Sequence, residues 1–146
     1  MGLGGVTLAG FALLPPVPAS DAALPFLGGD DSVAQEKVLA VAQYQKPVNK
    51  LEEDLRSGIL KGGTDDSAVV RRYLDSVLKP LQETMVEAAP LLKLQSKSQE
   101  RMKILPLLMK GHLLELEMAC NGGDAKEQLK EVDEVGATLE EFLTLA

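Results

Sequence analysis

One histidine and one cysteine, with acids nearby, are the residues of this 146-residue chain whose types could support chemistry. His112 is followed by Glu115 and Glu117, which raises the question of a metal centre, against the plainer reading of a histidine on a core-facing stripe with its polar edge satisfied. A di-iron centre among packed helices needs two Glu-x-x-His motifs, and a chain with a single histidine has no second one. Cys120 lies eight residues beyond His112 on the same expected helix, about 12 Å along its axis, too far for a Cys–His pair. It reads as a small apolar filler near a helix end. Gly62-Gly63 and Gly122-Gly123 lack the Lys-Ser/Thr that a phosphate cradle requires, and read as helix stops. The expectation is a protein with no catalytic residue, no cofactor and no metal, in other words not an enzyme.

The elements that would position these residues follow from periodicity. The spacing predicts a first helix from about Ser32 to Leu60, with Gln35 three places after Ser32 as in a capping box. Val38, Val41, Tyr44, Val48, Leu51, Leu55 and Ile59 form its inward stripe, and Lys61-Gly62-Gly63 its stop. A second helix starts at Thr64/Asp65 and turns Val70, Tyr73, Leu74, Val77, Leu81, Met85 and Ala88 inward as far as Pro90. A third, from about Leu91 to Cys120, carries Leu94, Ser98, Met102, Leu105, Leu108, Met109, His112 and Leu116, with Asn121-Gly122-Gly123 as its stop. The last opens at Asp124 with Glu127 behind it and buries Leu129, Val132, Val135, Leu139, Phe142 and Leu143. Short connections make neighbours antiparallel, so the expected fold is all-α, an up-down-up-down four-helix bundle. Pro47, Pro80 and Pro106 fall inside expected helices as kinks, with Pro106 the place for a true break.

The bundle is expected over residues 31–146, preceded by an extended apolar arm over 1–30. Asp21 is the one charge among the first 29 residues, and Pro15, Pro16, Pro18 and Pro25 prevent a regular helix across them. The segment reads as a docking arm or a residual targeting signal. No Lys or Arg precedes Lys37, and the apolar run meets Pro15-Pro16 too early for a membrane span. The net charge of −7, three Phe, two Tyr and no Trp argue against nucleic acid. From Leu91 to His112 five basic residues, Lys93, Lys97, Arg101, Lys103 and Lys110, stand against Glu100 alone, while seven acids crowd Asp124 to Glu141. Pairing of Glu140 and Glu141 with Lys93 or Lys97 is expected within the bundle, and Arg71-Arg72 is a second basic patch.

An apolar, proline-bearing arm leading into such a bundle resembles the PsbQ family, extrinsic subunits on the lumenal face of photosystem II. The local likeness runs through Leu55-Arg56-Ser57-Gly58, Val70-Arg71-Arg72-Tyr73-Leu74 and Leu78-Lys79-Pro80-Leu81-Gln82-Glu83-Thr84-Met85, and again from Leu129-Lys130-Glu131-Val132-Asp133-Glu134 to Leu139-Glu140-Glu141-Phe142-Leu143. The resemblance implies a non-catalytic subunit peripheral to the thylakoid membrane in the chloroplast lumen. Its partners would be the lumenal domains of photosystem II and other extrinsic subunits, and its role to stabilise the oxygen-evolving centre and help retain calcium and chloride. The implied contacts are Leu14, Pro15, Pro16, Leu24, Pro25, Phe26 and Leu27 of the arm, then Arg71 and Arg72. Two alternatives remain open at this point: an accessory helical subunit of another large membrane complex, such as a respiratory one, or a soluble carrier holding an apolar ligand near Met85, Met102 and Met109.

Overall fold

A computed structural model describes residues 28–146, and the arm positions Leu14 to Leu27 lie outside them. The described residues are mostly helical and contain no strand. The elements are α1 (Gly28–Ala42), α2 (Gln45–Ser57), α3 (Gly63–Tyr73), a π-helical turn (Leu74–Leu78), α4 (Lys79–Ala88), a 3-10 turn (Ala89–Leu91), α5 (Ser96–Gly122) and α6 (Ala125–Leu145). The chain divides into two compact units between Gln35 and Glu36, and the unit from Glu36 to Ala146 holds the helices α2 to α6 together with the end of α1.

The prolines act differently from one another. Pro47 has no N–H to give the carbonyl of Gln43, so the first expected helix breaks at Gln43–Tyr44 and restarts with proline in its first turn, where that N–H is not needed. Pro80 likewise begins a new helix, α4, after a turn in which the Lys79 N–H reaches back to the Leu74 carbonyl. That wider π-helical loop absorbs the missing bond. Pro106, expected to be the break, sits buried inside an uninterrupted α5. Met102, Leu105 and Met109 pack on both sides of it without exposure, and its carbonyl accepts from Gln82 Nε2 at 3.2 Å.

Helix ends differ from expectation at three places. The stop of α2 is Gly58, whose φ of 86° lies in the left-handed region that glycine adopts without strain, so Lys61-Gly62-Gly63 falls beyond the helix. Ile59, expected on the inward stripe, is therefore carried outward and is 72% exposed. Ser32 lies within α1 rather than at its cap, and α5 begins at Ser96 rather than at Leu91. Two signals hold: Gly123 closes α5, and Asp124 caps α6 by accepting the Glu127 N–H at 3.1 Å.

The core is one cluster drawn from every helix, including Val41, Val48, Leu51, Leu55, Val70, Leu74, Leu78, Leu81, Met85, Met102, Leu105, Met109, Leu116, Val132, Val135, Leu139 and Phe142. Full burial of each such side chain contributes about 1.5–3 kcal/mol, which is what holds helices of modest intrinsic stability together. Polar pairs fix their register. Arg101, His112 and Ala119 on α5 meet Glu141, Glu131 and Gln128 on α6, so these two helices run in opposite directions. Arg56 bridges Glu52 at 3.0 Å and Asp133 at 2.6 Å, joining α2 to α6, and Gln82–Pro106 joins α4 to α5. At one end, buried Gln128 donates to Ser67 Oγ at 3.2 Å and to the Ala119 carbonyl at 3.3 Å, tying the starts of α3 and α6 to the end of α5.

Candidate functional site

Two features of α5 stand out, and both arise from how its 27 residues are distributed around the axis. At about 100° per residue, Met102, Leu105, Met109, Leu113 and Leu116 occupy one side and enter the core. Ile104, Leu107, Leu114 and Met118 occupy the opposite side and are 44%, 67%, 54% and 70% exposed. Leu108, expected inward, is at the edge of this outer stripe. Gly111 lies within the stripe with open space where a side chain would be, so a partner could approach the backbone closely there. Lys103 and Lys110 flank it, both exposed.

On the shoulder between these two sides, α5 presents His112 and Glu115 to α6. His112 Nδ1 lies 3.1 Å from Glu131 Oε1, and Nε2 lies 3.9 Å from Glu134 Oε1. Glu131 is 1% exposed and His112 22%. Ligand-type atoms of His112, Glu115 and Glu131 all fall within 4.8 Å of one another. Burial pushes the Glu131 carboxyl up to about 8, and the neighbouring acids Glu127 and Glu115 push in the same direction. Near neutral pH it therefore holds its proton, so it can donate a hydrogen bond rather than only accept. The arrangement can hold a proton or a cation. Cys120 lies apart from this group, buried near the end of α5, and burial raises its thiol above the ordinary value.

The sequence singled out His112 and Glu115 but missed Glu131, because the partner comes from another helix. A signal was present: Gln128, Glu131, Val135, Thr138 and Phe142 recur at three- and four-residue steps, which puts Glu131 on the inward side of α6. Glu117, grouped with His112 by sequence, instead lines a surface recess with Lys79, Gln82, Lys110 and Leu114. Arg71 donates to Asn121 Oδ1 at 2.6 Å, so of the expected basic pair Arg72 is the exposed member. Glu141 is gripped by Arg101 at 2.5 and 2.9 Å, where Lys93 or Lys97 was expected, and that guanidinium holds its carboxyl below the usual range. Met85, Met102 and Met109 are core residues without exposure. No described helix is long and apolar enough to cross a membrane.

No family model, no curated protein and no solved structure matches this chain. The residues and their geometry are what a functional reading rests on.

Proposed function

We propose that this protein is a non-catalytic helical subunit, built as an up-down-up-down four-helix bundle, that docks on the lumenal face of photosystem II and helps stabilise the oxygen-evolving centre and its calcium and chloride. The observation that carries the docking role is the outer stripe of α5. Ile104, Leu107, Leu114 and Met118 form an apolar line on a helix whose other side already fills the core. Contiguous apolar surface of this kind marks interaction sites on soluble proteins. The choice of host comes from the sequence resemblance to the PsbQ family, with Leu14, Pro15, Pro16, Leu24, Pro25, Phe26, Leu27 and Arg72 as further contacts, and Arg71 tying α3 to Asn121 of α5. The opposed directions of α5 and α6 support the up-down arrangement.

Oxygen-evolving thylakoid membranes washed with molar salt or alkaline Tris test the reading. Release of the chain with loss of oxygen evolution, and recovery on adding it back, is the expected result. Add-back of a chain carrying Leu107→Ser, Leu114→Ser and Met118→Ser should fail to restore activity. Absence of the chain from these membranes, or equal recovery with the triple variant, overturns the assignment or the stripe respectively.

A further inference from the structure

We propose that His112, Glu115 and Glu131 form a binding site for one divalent transition-metal cation of the zinc type, at the seam between α5 and α6. The site is separate from the outer stripe and does not depend on what that stripe contacts.

The argument starts from the donors. His112 and Glu115 stand three apart on α5, so both project toward the same neighbouring helix, and Glu131 comes across from α6. The 3.1 Å between His112 Nδ1 and Glu131 Oε1 is close to the edge that two neighbouring ligands make around an ion with bonds of about 2.0–2.2 Å. The third donor lies within 4.8 Å of both, within reach of the same ion after a small side-chain rotation. Glu134 stands 3.9 Å from the other ring nitrogen, beyond hydrogen-bond distance but on the side from which a carboxylate would orient a metal-bound imidazole after a small rotation. One imidazole with carboxylates suits zinc and its neighbours, whereas calcium prefers a shell of six to eight oxygens.

Burial gives an independent reason. Glu131 is 1% exposed, and the groups around it are His112, Glu115 and Glu127. Lys130 reaches only Glu127, at 3.7 Å and on the exposed side. A carboxylate withdrawn from water among other carboxylates is costly unless something positive joins it. Protonation is one solution, with Glu131 then hydrogen-bonded to His112. A dication is the other, and it satisfies three side chains at once.

The test uses the full chain after chelator treatment, titrated calorimetrically with zinc chloride and separately with calcium chloride at pH 7.5. One equivalent of zinc, a raised Tm with zinc, and affinity lowered about 10-fold to 100-fold in Glu131→Gln and His112→Asn are expected. Glu115→Gln, an exposed position, supplies a variant whose fold is not at risk, and metal-free circular dichroism checks the others. Equal zinc affinity in native and Glu115→Gln, Glu131→Gln and His112→Asn chains overturns the site, as does the lack of native binding below millimolar zinc. Tighter calcium than zinc binding overturns the assigned class of ion.

Discussion

The two apolar sides of α5 have nearly the same chemistry and opposite fates. Leu105, Met109 and Leu116 are without exposure, while Leu107, Leu114 and Met118 on the other side are more than half exposed. Hydrophobicity therefore does not select which side of a helix faces inward when both are apolar. The neighbours decide: α3, α4 and α6 all pack against one side of α5. What remains outside keeps its apolar character and stays largely in water, and the shoulder between the two sides is where His112 and Glu115 meet Glu131.

The difference is sharpest when the same substitution is made on each side. Leu116→Ala should destabilise by about 2–5 kcal/mol, read as a fall in the denaturant midpoint, since it removes packed atoms and leaves a cavity. A midpoint unchanged by Leu116→Ala would mean that the inner side has been misassigned.

The shoulder comes next in size. In chelator-treated protein the Glu131 carboxyl is raised from its ordinary 4.5 to about 8. Below about pH 4.5 the folded and unfolded chains both hold this proton. Between there and pH 8 the unfolded chain loses it while the folded chain keeps it, so stability falls as pH rises through that window. Glu131→Gln should remove this slope and be more stable than the native chain by about 1–3 kcal/mol at pH 8. Denaturant titrations at pH 5, 6.5 and 8 measure it, and parallel pH profiles for the two chains would contradict the buried acid.

The outer side should give the smallest effect on folding. Leu107→Ser, Leu114→Ser and Met118→Ser should each change stability by no more than about 0.5 kcal/mol, because their side chains are already largely in water. Thermal melts of the single variants check this. A loss comparable to that of Leu116→Ala would show that the stripe is packed in the folded chain and free it from any docking role.

Much of this was legible before the structure. The all-helical class, the inward residues of α3 to α6, the Asp124 cap and the Gly123 stop follow from periodicity and cap chemistry, which act within a few residues. The errors cluster where local rules compete. Ile59 continued the stripe of α2 in period, yet Gly58 had already ended the helix. Pro47 and Pro106 were alike in sequence, but only Pro47 lies where the chain could restart a helix at little cost. Glu131 was one of seven acids in a charged stretch, and its burial depended on a helix nearly twenty positions earlier in the chain.

The sequence by itself determined where helices form, since backbone hydrogen bonding, caps and side-chain spacing are settled within one or two turns. It also determined that α5 would be apolar on both sides. Tertiary structure alone decided which side the core took, which arginine gripped Glu141, and that His112, Glu115 and Glu131 would share one site. These depend on the register between helices distant in the chain, a sum over many side chains packing at once that no single window of residues contains.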